Sequence, residues 1–264
     1  MSLFSAKEIT AGYGKQPVVK NVSFSLEPGE LMGILGANGS GKTTLLKAIC
    51  GILPHEGTCE LDGSCLESLS PRHLARVCGY IPQRSGVAID ISALDVVLMG
   101  FNPQLGLLEH PSRGMREKAL QALALVGLSG REDANYQHLS EGQKQLCILA
   151  RTLVSGSKLL LLDEPESALD VRFRHQMLEL LGRWRSEARR AAVVTLHDAA
   201  LALNQCDKLL LLSEGMVFGT IHPRTDPLEE MEPLLSRIYG PVSLQWCRNR
   251  SGREILVMLK EDEG

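Results

Sequence analysis

Eight residues, Gly36-Ala37-Asn38-Gly39-Ser40-Gly41-Lys42-Thr43, constrain this chain more than any others. They satisfy the spacing Gly-x-x-x-x-Gly-Lys-Ser/Thr in full. The apolar run Glu30-Leu31-Met32-Gly33-Ile34-Leu35 before them reads as a short buried strand, and Lys42 to Cys50 after them reads as a helix. Strand, glycine loop and helix stand in the order that a phosphate-cradling loop requires. Gly36, Gly39 and Gly41 let backbone N–H groups turn inward around phosphate oxygens, and the helix adds its positive N-terminal end. Lys42 supplies a charge for β- and γ-phosphates, and the Thr43 hydroxyl is placed to ligate Mg²⁺. Asn38, Ser40 and Thr44 complete the expected nucleotide-binding set. An ordinary glycine turn does not explain the strand and helix that bracket it.

The remaining pattern is that of an α/β chain. Residues 3–30 alternate polar and apolar positions between Gly and Pro breaks, as in Val18 to Leu26, which reads as an antiparallel β region. Residues 56–82 read as further short strand-like pieces. From 84 to 155 the pattern is mainly helical, with Ala93 to Leu98 and Arg116 to Val126 separated by Asn102-Pro103 and His110-Pro111. Lys158-Leu159-Leu160-Leu161-Leu162-Asp163 is a continuous apolar run, the mark of a central parallel strand buried on both faces. Ala191 to Leu196 and Lys208 to Leu212 repeat it, with helix-like segments between (Val171 to Arg190, Ala199 to Cys206). Such alternation predicts a parallel sheet with helices on both faces.

Bulk properties exclude several functions. With 264 residues and 44% hydrophobic positions, the chain can form one large domain or one domain with an insert. A net charge of −3 gives no pull toward nucleic acid or anionic lipid, and only 4% aromatic residues argue against base stacking. The Arg-rich segment Arg172, Arg174, Arg183, Arg185, Arg189 and Arg190 therefore reads as a solvated helix face, with Phe173, Leu178 and Leu181 turned inward. The seven cysteines are scattered without a Cys-x-x-Cys pair, as expected for reduced cytosolic thiols. The N-terminus lacks the pattern of a signal peptide. No apolar run approaches the roughly 18 residues needed to span a bilayer. If the chain serves transport, other chains must make the pore.

Two further motifs say how a nucleotide is used. Asp163-Glu164 ends the Leu159–Leu162 strand, where ligands bind in open α/β sheets. Asp163 is placed to hold Mg²⁺ through water, and Glu164 to act as general base on the attacking water. Leu139-Ser140-Glu141-Gly142-Gln143 precedes this pair, with 20 residues from Gln143 to Asp163. Together with the glycine loop these motifs resemble the ATP-binding subunit of an ABC transporter, whose signature usually reads Leu-Ser-Gly-Gly-Gln. The resemblance covers nearly the whole chain. It implies one α/β domain over 1–264, with a P-loop NTPase (RecA-like) core of mainly parallel sheet. The core would comprise 1–83 and 156–264, with an N-terminal antiparallel β region and an inserted helical subdomain at 84–155.

Individual roles follow from the resemblance. Tyr13, in the turn Gly12-Tyr13-Gly14, matches the aromatic that stacks on adenine. Gln83 matches the glutamine that reaches Mg²⁺ and the water and hinges the helical insert. Ser140, Gly142 and Gln143 match the signature, which caps the γ-phosphate of ATP bound to the opposite subunit. Ser167-Ala168-Leu169-Asp170 matches the loop that crosses the dimer interface, and His197 the histidine that contacts the γ-phosphate. The resemblance implies a head-to-tail homodimer with two ATP molecules between its halves. It also implies two transmembrane permease subunits and an extracytoplasmic substrate-binding protein, with the ATPase peripheral on the cytoplasmic face of the membrane and no nucleic-acid partner. Two positions depart from the family pattern. Glu141 replaces a glycine and is expected to point outward, and Glu166 replaces the usual threonine. The segment Asp95 to Gly106 is similar to that of ATPases serving iron-siderophore, haem and cobalamin importers, although Phe101 and Gln104 replace the usual Arg and His. Importers of other cargo, such as molybdate, manganese, zinc or amino acids, stay open, as do, less favoured, soluble ABC ATPases of repair or translation.

Overall fold

The structure, a computed structural model, describes residues 2–83, 87, 89–166, 170–186 and 189–261. The stretch Ser167-Ala168-Leu169, assigned to the interface loop, lies outside the described residues. Strands β1 (Phe4–Tyr13) and β2 (Gln16–Leu26) pair antiparallel from Phe4↔Leu26 to Tyr13↔Gln16, as the alternation predicts. Strands β4 (His55–Leu61) and β5 (Ser64–Cys65) extend this sheet in the order β2-β1-β4-β5. Between β2 and β4 in the chain come β3 (Leu31–Leu35) and α1 (Lys42–Ile49), on either side of the glycine loop.

A second sheet places the site. It is built from β3, β6 (Cys78–Ile81), β7 (Leu159–Leu162), β8 (Ala191–Thr195), β9 (Lys208–Ser213) and β10 (Met216–Ile221). Its order is β10-β9-β3-β8-β7-β6. All neighbours are parallel except β10, which returns antiparallel along β9. The turn Glu214-Gly215, with φ of 50° and 79°, makes that reversal. It also ties the sheet to the glycine loop, because the Gly215 amide donates to the Ser40 carbonyl at 3.0 Å.

Burial follows the two-residue period of a strand. In β7, Leu159 and Leu161 pack with β1, β2 and α1, while Leu160 and Leu162 pack with the helices of the opposite face, and all four are fully buried. That opposite face includes α3 (Ala93–Leu98), α4 (Arg113–Leu125) and α5 (Glu141–Leu153), all from the 84–155 stretch. It also includes α6 (Val171–Ser186) and α7 (Ala199–Gln205). Leu178 and Leu181 of α6 are buried and Phe173 is half-buried, as the solvated-face reading requires. Helix α8 (Leu228–Tyr239) and the hairpin β11 (Val242–Arg248)–β12 (Glu254–Lys260) close the C-terminal end.

The 56–82 region differs from its strand-like reading, because α2 occupies Pro71–Val77. Ser70 caps this helix and Pro71 fills its first position, so the start signals were present. None of its residues is fully buried, so it carries no apolar stripe to announce it. Helix α4 likewise begins at Arg113 rather than Arg116, because the Ser112 hydroxyl accepts from the Met115 amide. Among the described residues no helix is long and apolar enough to cross a membrane.

Leu161→Ala is expected to lower the free energy of unfolding by about 2–5 kcal/mol, since the cavity would be walled by sheet and helix. Leu107→Ala, at a side chain 98% exposed, is expected to change it by less than about 0.5 kcal/mol. Denaturant unfolding of the two variants checks the contrast.

Candidate nucleotide site

The glycine loop is shaped by close approach and by backbone that other residues resist. Gly39 and Gly41 have φ of 80° and 104°. A Cβ at Gly36 would lie 2.2 Å from the Leu212 carbonyl and 2.6 Å from Ser40 Oγ. Lys42, only 4% exposed, donates from Nζ to the Gly36 carbonyl at 2.8 Å and to the Ala37 carbonyl at 3.3 Å. Burial pulls its pKa below the ordinary lysine value, opposed by Glu164, Asp163 and Glu166. A cavity of about 140 Å³ opens over the loop, bounded by Asn38, Gly39, Thr43, Thr44 and Glu164. Ser40 Oγ is buried beside it with no partner among the described residues. A buried hydroxyl without a partner fits a phosphate group in this cradle, while the bare Gly36 lets the loop pack against the Leu212 carbonyl.

Three strand ends deliver the acids and their partners. Asp163, 1% exposed, accepts from Thr43 Oγ1 at 3.0 Å, from Thr195 Oγ1 at 3.1 Å and from the Tyr80 hydroxyl at 3.3 Å. Thr43 and Asp163, both expected as Mg²⁺ ligands, thus lie in direct contact, and this oxygen pair suits a hard cation. Burial, with Asp163 adding to it, pushes the Tyr80 hydroxyl well above its usual pKa and keeps it a donor. Thr195 Oγ1 also accepts the Glu164 amide at 2.7 Å, locking the two acids to β8.

Glu164 adopts φ of 45°, a conformation rare outside glycine. That turn aims its carboxylate back across the strand ends. Oε1 lies 2.6 Å from His197 Nε2 and 3.9 Å from Lys42 Nζ, and Oε2 accepts from Gln83 Nε2. All four residues expected to be catalytic, Lys42, Gln83, Glu164 and His197, therefore converge on one carboxylate. Gln83 reaches Glu164; no hydrogen bond joins it to Thr43 or Asp163 among the described residues.

The other expected residues sit elsewhere. Ser140 caps α5 by accepting the Gln143 amide at 3.3 Å, and the Gln143 side chain accepts the Ser140 amide at 3.0 Å. This is a complete capping box. No hydrogen bond or ion pair among the described residues joins Ser140, Gly142 or Gln143 to Gly36–Thr43. Glu141 turns outward, 70% exposed and 2.8 Å from Lys144. Asp170 caps α6 through the Phe173 amide at 3.0 Å. Tyr13 is 57% exposed at the end of β1 and borders a cleft of about 770 Å³ with Pro17 and His55.

Two polar groups were missed in the sequence. Thr195 was the one hydroxyl in an otherwise apolar strand, and Tyr80 preceded the Gln83 turn by three residues. Glu166 is buried at 2% exposure, where Oε1 accepts the His197 amide at 3.1 Å and Oε2 has no partner among the described residues. Burial raises its pKa above the ordinary carboxylate value.

Residues 19–167, 149 of the 264, match the family described as ABC transporter. The chain belongs to this family. It is similar to the hemin import ATP-binding protein HmuV of Bordetella avium, with 33% identity across 97% of this chain and 98% of that one. An ABC transporter structure described as of metal-chelate type, in an inward-facing conformation, superposes with a TM-score of 0.82 at 26% identity, over 99% of this chain and 98% of its own. A dimeric ATP-binding cassette in a post-hydrolysis state with ADP and Pi superposes at 0.74 and 26% identity, over 84% of this chain and all of its own. This ABC chain is thus an ATP-binding subunit of an ATP-hydrolysing family, with the α/β fold of that family.

Lys42→Ala is expected to weaken nucleotide binding strongly while leaving a folded protein, measured by fluorescent-ATP titration beside circular dichroism. The raised Glu166 pKa makes a second prediction. A carboxyl whose folded pKa lies above its unfolded one contributes stability at acid pH that is lost as pH rises through the folded value. Glu166→Gln should therefore gain stability over the parent near neutrality, and the gain should shrink toward acid. Unfolding curves across pH check the slope.

Proposed function

We propose that this ABC ATPase powers import of a metal chelate or corrinoid, of the iron-siderophore, haem or cobalamin kind, through separate membrane subunits. The observation that carries this reading is the end-to-end match to a hemin import ATP-binding protein. The superposition on a metal-chelate-type transporter along nearly the whole chain supports it. In this reading the protein works as a head-to-tail homodimer on the cytoplasmic face, beneath two permease subunits supplied by an extracytoplasmic binding protein.

The site residues then divide the work. Tyr13 stacks on adenine, and the backbone of Gly36 to Gly41, with Asn38, Ser40, Lys42 and Thr44, holds the phosphates. Thr43, Asp163 and Gln83 would hold Mg²⁺, which supplies charge neutralisation on the β- and γ-phosphates when bound. Glu164 takes the proton of the attacking water, and His197 both orients that carboxylate and reaches the γ-phosphate. Phosphoryl transfer to water depends on positioning and charge more than on covalent chemistry. A single copy provides one side of that enclosure. Ser140, Gly142 and Gln143 of the opposite copy, at the N-terminal end of α5, close the other side, with Asp170 at the crossing. Loss of the γ-phosphate removes the bridge between halves, a switch of the nucleotide-gated kind.

Glu164→Gln is expected to keep ATP binding, slow hydrolysis by about 10²–10⁴-fold and accumulate an ATP-bound dimer visible by sedimentation. Hydrolysis near the parent rate would remove Glu164 from the role of base. Co-purification with the permease in lipid tests the cargo. Haem-, siderophore- or corrinoid-loaded binding protein should raise ATP turnover. Stimulation only by manganese-, molybdate- or amino-acid-loaded protein would assign another importer class.

A further inference from the structure

Away from the nucleotide loop, the hairpin β4–β5 and the 3₁₀ turn Leu66–Ser68 gather donors that the ATPase chemistry does not use. His55, Cys59 and Glu67 each offer one ligand atom, and these atoms all lie within 4.8 Å of one another. His55 Nε2 stands 3.0 Å from Glu67 Oε1, and the Cys59 amide pins that same oxygen at 2.7 Å. Cys65 Sγ lies 3.0 Å from the other carboxylate oxygen, Glu67 Oε2. We propose that His55, Cys59 and Glu67, with Cys65 as a fourth donor, form a binding site for a soft divalent cation of the zinc class.

Backbone irregularity creates the cluster. In a regular strand, residues four apart lie about 13 Å from each other, too far for His55 and Cys59 to share an ion. The β1–β4 pairing shifts register between Lys7↔Thr58 and Thr10↔Glu56, so Glu8 and Ile9 stand opposite Gly57 alone. This is a β-bulge in β1, which bends that strand where it faces Gly57 of β4. Gly57 is obligatory there, at φ 93° and with a would-be Cβ only 2.4 Å from the Lys7 carbonyl. The left-handed backbone of Gly57 breaks regular strand geometry between His55 and Cys59, and the 3₁₀ turn places Glu67 against both.

The donor types select the metal. One imidazole, one or two thiolates and one carboxylate suit zinc, whereas Mg²⁺ and Ca²⁺ take all-oxygen sets. Zinc bonds of about 2.0–2.3 Å in a tetrahedron separate ligand atoms by about 3.3–3.8 Å. The His55, Cys59 and Glu67 donor atoms therefore need to contract by only about 1 Å to bind. The Cys59 thiolate and Glu67 carboxylate balance the two positive charges, and the thiol proton leaves to solvent on binding. Cys59 is fully buried while the Glu67 side chain is 33% exposed, so a soft ligand lies beneath an open entry. The site shares no residue with the expected Mg²⁺ ligands Thr43, Gln83 and Asp163, and it stands independently of the cargo.

The test uses the full chain, freed of metal by chelation, without nucleotide. Zinc is titrated by calorimetry and cobalt(II) by absorption, where a thiolate-to-cobalt charge-transfer band requires a cysteine ligand. The expected result is one zinc per chain, the charge-transfer band, and a zinc-dependent rise in melting temperature. His55→Gln and Glu67→Gln should each weaken binding by at least about ten-fold, and Cys59→Ala should reduce or remove the cobalt band. Cys147→Ala, a buried cysteine outside the cluster, should bind zinc as the parent does. Absence of stoichiometric zinc in the parent, or zinc affinity unchanged in His55→Gln and Glu67→Gln, would overturn the site. Glu67→Gln alters a part-exposed side chain, so the outcome does not depend on Cys59→Ala folding.

Discussion

Parallel pairing of β6, β7, β8 and β3 puts the C-terminal ends of four strands on one edge of the sheet, and every contact around Asp163 and Glu164 depends on that register. The glycine loop leaves β3, Asp163 and Glu164 leave β7, His197 follows β8 and Gln83 follows β6. These residues are scattered from Gly36 to His197, yet strands spaced about 4.8 Å apart bring their side chains within hydrogen-bond reach. The Thr195 hydroxyl then fixes the acids to the neighbouring strand from both sides, receiving one amide and donating to one carboxylate. Burial of β7 on both faces makes this register expensive to change, since a slip of one residue would exchange the two leucine rows between different cores.

Glu164 concentrates the electrostatics. Its left-handed backbone turns the carboxylate toward a buried ammonium, an imidazole and an amide at once. Desolvation disfavours charge on Lys42 and outweighs the opposing pull of the facing carboxylates. Glu166 adds a third acid nearby, but its partner is the His197 amide, and burial favours its neutral form. The family departure at this position therefore ties the histidine loop to a buried carboxylate.

Much of this arrangement was legible because it rests on local spacing. Gly36 to Thr43 names its own geometry, and four consecutive leucines before Asp163 announce a doubly buried strand. The expectation that Glu141 points outward agrees with its pairing to Lys144. Features that depend on through-space packing were not legible. Helix α2 lies on the surface without a fully buried face, so its residues read as strand-like. Thr195 and Tyr80 matter through Asp163, which is 32 and 83 residues away from them. The His55–Cys59–Glu67 cluster depends on the left-handed backbone at Gly57 and on the turn that carries Glu67. In the sequence Cys59 looks like one of several scattered thiols.

The capping box at Ser140 explains why the signature turn is presented rather than consumed. Its serine and glutamine satisfy each other at the N-terminal, positively polarised end of α5, and no hydrogen bond among the described residues joins them to the glycine loop. The proposed function makes one copy half of an enclosure. It is tested most directly by mixing two inactive variants, Lys42→Ala and Ser140→Ala. A mixed dimer would contain one site built from an intact glycine loop of one copy and an intact signature of the other. Recovery of ATP hydrolysis in the mixture is the predicted result. A mixture as inactive as either variant alone would place the whole site within a single chain and contradict the account.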